Sequence, residues 1–117
     1  MRRYDVTTLR AAAWTFRELE RLRRNLRRSG IGASMVRPPR RVPQTGARGV
    51  YRVLRLRNAT CLERSFLLQA WYSAQGFDRD IVIGVTAPAE GFTAHAWLDG
   101  DPTEPDGPYR ELHRLAP

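Results

Sequence analysis

The hydrophobic period of this chain changes once, near residue 78, and that change bounds what it can fold into. Upstream of it, apolar residues recur at three- and four-residue steps. Over residues 6–28, Leu9, Ala12, Ala13, Phe16, Leu19, Leu22 and Leu26 form one stripe, the spacing of an amphipathic helix. Arg10, Arg17, Arg21, Arg24 and Arg28 fall on the other face, and Ser29-Gly30 supplies a stop. A second helix is predicted over 61–74, with Leu62, Phe66, Leu67, Ala70 and Trp71 apolar and Gly76 just past its end. Between the two, Pro38, Pro39, Pro43 and several glycines make 31–46 a connecting loop. Residues 47–57 read as a short helix through Val50, Val53 and Leu54, although Val53 with Arg52 and Arg55 also fits strand alternation.

Downstream the period is that of strands. "DRDIVIGVTA" (78–87) is β-branched and mostly apolar, the composition of a buried strand. "FTAHAWL" (92–98) alternates, with Phe92, Ala94, Ala96 and Leu98 on one face and Thr93, His95 and Trp97 on the other. "DGDPTEPDGP" is a loop of turn formers, and "YRELHRL" (109–115) is a last strand or short helix. Helices followed by antiparallel strands predict an α+β fold. The 117 residues fit one domain.

The charge is as uneven as the period. Residues 1–57 carry 16 Arg against three acids, and residues 58–117 carry four against nine, with no Lys anywhere. Such a basic half is either a solvated face or a surface for an acidic peptide, a partner protein or nucleic acid. No apolar run approaches the roughly 18 residues of a membrane span, and no apolar stretch of a signal peptide follows Met1. The single cysteine makes no internal disulfide. The cytoplasm is therefore the expected compartment.

That cysteine stands at a helix start. A lone cysteine is most often a small buried hydrophobe, but Thr60-Cys61-Leu62-Glu63 is a capping-box sequence, which places Cys61 in the first turn. Unpaired N–H groups and the positive dipole end favour an anion there, and the thiolate is the nucleophilic form of cysteine. A cysteine nucleophile needs a base, and the base an orienting group. His95, mid-strand between Ala94 and Ala96, is the candidate base; His113 lies in a basic context that reads as surface. A tight turn centred on Gly100-Asp101 places His95 opposite Asp106, whereas one centred on Asp99-Gly100 places it opposite Glu104. Cys61, His95 and His113 have no compact metal-ligand spacing, and no phosphate-binding glycine loop is present, so neither metal nor cofactor is expected. Trp14, Trp71 and Trp97 are spread as core or site walls rather than as a stacking platform.

"TCLERSFLLQAWYSAQGF", "DIVIGV" and "FTAHAWLDG", in that order, resemble the transglutaminase-like cysteine protease of lasso-peptide biosynthesis over residues 45–117. The resemblance implies a papain/transglutaminase-like α+β core, with N-terminal helices packed on a small antiparallel sheet. Residues 1–45 would be an N-terminal helix and loop and 46–117 the catalytic core of a single domain. It implies a Cys-His-Asp triad of Cys61, His95 and Asp106, acting by acyl transfer to water at the leader–core junction of a precursor peptide. The Cys61 N–H and the Asn58 side chain are the candidates for oxyanion contacts, and Trp97 for the substrate wall. Implied partners are the precursor, a separate small leader-recognition protein and a downstream lasso cyclase, with no membrane and no nucleic acid. The arginine face, at Arg17 and Arg21, is expected to meet the leader or its carrier, so that charge reversal there spares the fold. The alternatives are a transglutaminase-type acyl transferase and a non-enzymatic basic adaptor for nucleic acid or an acidic partner.

Overall fold

The computed structural model describes residues 6–29, 36–39, 42–85, 94–100 and 110–117. Helix α1 (Val6–Ser29) is followed by a short 3₁₀ turn at Gln44–Gly46, α2 (Ala47–Leu56) and α3 (Cys61–Ala74). Strands β1 (Ile81–Val85), β2 (Ala94–Leu98) and β3 (Arg110–Leu115) form one antiparallel sheet in the order β2-β1-β3. The fold is α+β, as the change of period predicts. The 47–57 segment is helical, and the 109–115 segment supplies a strand. Among the described residues no helix is long and apolar enough to cross a membrane.

One core joins all these layers. Leu19 and Leu22 of α1, Val50 and Leu54 of α2, Leu67, Leu68 and Trp71 of α3, and Ile81 and Leu98 of the sheet are buried together. The rings of Trp14 and Trp71 meet at 5.9 Å and 41°, an aromatic pair at the centre of the helical layer. Gln69 ties α3 to the sheet, its Nε2 donating to the carbonyls of Arg79 and Leu115 at 2.9 and 2.8 Å.

The phase of α1 differs from the expected stripe. Leu9 and Phe16 are 59% and 48% exposed, while Thr8, Ala11, Thr15, Glu18, Leu19 and Leu22 are buried. The cause is the close approach of α2. A Cβ on Gly49 would lie 2.2 Å from the Thr8 carbonyl oxygen, so the contact face of α1 is chosen for small side chains rather than large apolar ones. The buried Thr15 hydroxyl meets its own need by donating to the Ala11 carbonyl at 2.8 Å.

Both later helices end in the same hydrogen-bond pattern. At the end of α2, the Ala59 N–H reaches the Leu54 carbonyl and the Asn58 N–H that of Arg55, with Asn58 at φ +51°. At the end of α3, Phe77 and Gly76 reach Tyr72 and Ser73, with Gly76 at φ +93°. These are Schellman caps, in which a left-handed residue satisfies the last carbonyls.

Candidate active site

Four residues, Arg57 to Thr60, turn the chain from one helix into the next. Thr60 accepts from the Glu63 N–H at 3.1 Å, and Glu63 accepts from the Thr60 N–H at 3.0 Å, which completes the capping box and sets Cys61 in the first turn of α3. The buried Ser65 hydroxyl donates to the Cys61 carbonyl at 2.7 Å and braces that turn. The Glu63 carboxylate also takes a two-pronged contact from Arg23 of α1, Nε and Nη2 each at 3.1 Å, while Arg23 reaches the Arg57 carbonyl at 2.8 Å. Arg57 in turn pairs with Glu20 at 2.6 Å. The start of the cysteine helix is thus held by charge-assisted bonds from α1.

Burial alone would push the Glu63 carboxyl up, but the hydrogen bonds from Arg23 and Thr60 and the Arg23 charge overcome it and hold the group below its ordinary 4.5. A lowered carboxyl contributes stability above the unfolded value and loses it as pH falls through the folded one. Glu63→Gln keeps a capping side chain but not the charge. It is expected to destabilise by about 1–3 kcal/mol at neutral pH, in a denaturant titration. The difference from wild type should close as the pH falls below 4.5, the ordinary value from which the folded group is lowered.

Strand β2 brings the histidine. In the β1–β2 register, His95 pairs with Gly84, which has no side chain to crowd it, and Trp97 pairs with Val82. The His95 and Trp97 rings stack at 5.9 Å and 22°. A cavity of about 330 Å³ is lined by Cys61, Arg64, Ser65 and Leu68 from α3 and by His95, Ala96, Trp97 and Leu98 from β2. The lone cysteine and the strand histidine, 34 positions apart in sequence, therefore share one cavity, with Trp97 as part of its wall. His113 is exposed on β3.

The other expected site residues fall elsewhere. Asp106 and Glu104, with Asp101 of the turn that would decide between them, lie outside the described residues. Asn58 is exposed and does not line the cavity; its left-handed backbone ends α2. Asn58→Gly should keep kcat within about twofold, whereas loss of an oxyanion donor costs about 10²–10³-fold; a peptidase assay on the variant separates the two. Arg17 is exposed, but Arg21 is half-buried and donates to the buried Glu18 at 3.0 Å. The expectation that charge reversal at Arg21 spares the fold is corrected by this contact, because reversal would set two carboxylates together in a buried site. Sequence reasoning missed Arg64, Ser65 and Leu68, although their spacing of three, four and seven from Cys61 marks the face of α3 that carries the thiol. The Arg64 guanidinium lies 5.3 Å over the Tyr51 ring, and the Tyr51 and Tyr72 hydroxyls are 2.6 Å apart.

A thiol and an imidazole facing one cavity beside the first-turn amides of a helix are the parts of nucleophilic acyl transfer. A family model described as the transglutaminase-like superfamily matches residues 6–117, α1 included. No curated protein and no solved structure matches the chain.

Proposed function

The chain belongs to the transglutaminase-like superfamily, and on that premise we propose that it is a cysteine peptidase that removes the leader from a lasso-peptide precursor. The observation that carries the reading is the shared cavity of Cys61 and His95. The motifs around Cys61, Ile83-Gly84-Val85 and His95, and their resemblance to the lasso-pathway protease, supply the substrate class.

In this mechanism His95 takes the thiol proton of Cys61, and the sulfur attacks the carbonyl at the leader–core junction. The tetrahedral oxyanion is met by the Cys61 N–H, which as a first-turn amide has no partner within its helix. His95 returns the proton to the departing amine, so the core peptide leaves with a free N-terminus and the leader stays as a thioester. Water, deprotonated by His95, then attacks the thioester and releases the leader as a carboxylate, restoring the thiol. Asp106 is the proposed orienter of His95. A separate leader-binding protein is the proposed carrier, and a cyclase the proposed consumer of the freed core.

The choice between water and an amine as acceptor is read from the products. Incubated with precursor, carrier protein and an added primary amine, the chain is expected to yield a leader ending in a free carboxylate. Mass spectrometry showing the amine joined to a glutamine side chain, with ammonia lost and the junction uncut, would replace the peptidase reading with that of a transglutaminase.

A further inference from the structure

A second and larger cleft, about 690 Å³, lies between α1 and residues 37–39 and 42. Its buried lining is Trp14, Pro39 and Val42, with the Glu18 carboxylate beside them. Its exposed lining carries the arginines Arg10, Arg17 and Arg37, of which Arg17 also pairs with Glu18 at 3.7 Å. The wall is fixed, because the Arg37 peptide is gripped on both sides. Trp14 Nε1 donates to its carbonyl at 2.8 Å, and Glu18 accepts from its N–H at 2.9 Å. The indole N–H and the Glu18 carboxylate are thereby engaged within the protein, and Arg21 also donates to Glu18 at 3.0 Å. What the cleft offers a ligand is an apolar bed between cations, in the volume range of roughly 300–1,000 Å³ typical of ligand sites.

We infer that this cleft binds an acidic, extended segment of the peptide substrate, away from the bond that is cut. Acidic side chains would meet Arg17 and Arg37, which form charge-assisted bonds to carboxylates. An apolar side chain between them would lie on Trp14, Pro39 and Val42. A nucleic acid fits less well, because Trp14 is 4% exposed and turned to Trp71, leaving no aromatic face on which a base could stack. The basic half of the chain would add long-range attraction for the same ligand. The identity of the occupant as substrate rests on the peptidase reading; the chemistry of the cleft does not.

The test uses the full chain with Cys61→Ala, labelled with ¹⁵N, so that binding is read without turnover. The probe is a short synthetic peptide of alternating Glu and Leu, with a Lys-Leu peptide and an oligothymidylate as comparisons. The Trp14 indole resonance and the Arg37 and Val42 amides should shift with the Glu-Leu peptide and not with the Lys-Leu peptide. The Trp97 indole reports separately on the cysteine cavity. Replacing two of the cleft's three arginines, Arg17→Gln with Arg37→Gln, should weaken binding about tenfold or more. The backbone bonds at Arg37 survive that change, and an unaltered spectrum elsewhere checks the fold. Equal binding of the Lys-Leu peptide, no shift at Trp14, unchanged affinity in the double variant, or tighter binding of the oligothymidylate in this cleft would each overturn the inference. Acidic-peptide binding by a chain that cuts no precursor would uphold the cleft and remove the peptidase. Cleavage with a KM unmoved by the double substitution would do the reverse.

Discussion

Cys61→Ala should lower kcat/KM for the precursor by about 10³-fold or more, while leaving the melting temperature close to that of the wild type. The loss is large because the acyl-enzyme has no other sulfur on which to form: Cys61 is the one cysteine of the chain. The stability effect is small because the thiol is half-buried at the first turn of α3, where the cap is made by Thr60 and Glu63 rather than by the cysteine. His95→Ala should cost a comparable factor, and the double variant no more than the worse single one, since nucleophile and base act as a unit. Iodoacetamide should add one carbamidomethyl group and abolish cleavage together with it. Cleavage of the precursor by Cys61→Ala at the wild-type rate would remove the mechanism outright. A collapse of the melting transition would instead assign the cysteine to the core.

The parts of this site that are legible in sequence are those fixed by local chemistry. Thr60 and Glu63 sit three apart at a helix start, and the capping box they predict is the one observed. Gly76 follows an apolar helical run and takes the left-handed conformation of a cap. The alternation of "FTAHAWL" sets Ala96 and Leu98 on one face and His95 with Trp97 on the other, and the first pair is buried while the second is half-buried.

What is not legible depends on partners distant in sequence. The stripe through Leu9 and Phe16 is a sound helical pattern, yet the packed face of α1 is the one carrying Thr8, Ala11 and Thr15. Periodicity measures hydrophobicity, and here backbone proximity to α2 selects the face by size. Arg21 belongs by spacing to the arginine face of α1, and Arg23 to the same arginine-rich run without a place on that face. Each meets a buried carboxylate, Glu18 and Glu63, the second of them 40 positions away. Asn58 reads as a polar neighbour of a nucleophile and is, in backbone terms, the residue that ends α2.

The same proximity of α1 and α2 sets the largest expected effect on stability. Gly49→Ala should destabilise the chain by about 3 kcal/mol or more, against the helix preference for Ala over Gly of about 1 kcal/mol. Two opposed terms thus decide the sign. The new Cβ would stand 2.2 Å from the Thr8 carbonyl oxygen and 2.9 Å from the Ala12 nitrogen. Both are backbone atoms, so no side chain can swing away; the helices themselves must part. Parting them loosens Val50 and Leu54 from the core that Leu19 and Leu22 complete. It also draws Arg23 away from Glu63 and Arg57 away from Glu20, the bonds that hold the start of the cysteine helix. Gly76→Ala is the comparison, because its Cβ would meet nothing within 4 Å and only the φ of +93° resists it. That conformation costs about 1–2 kcal/mol for a residue with a Cβ. Urea titrations should therefore rank Gly49→Ala well below Gly76→Ala in stability. A Gly49→Ala chain as stable as wild type would mean that α1 and α2 lie further apart than this packing requires, and the Thr8–Ala11–Thr15 face would lose its reason for being the buried one.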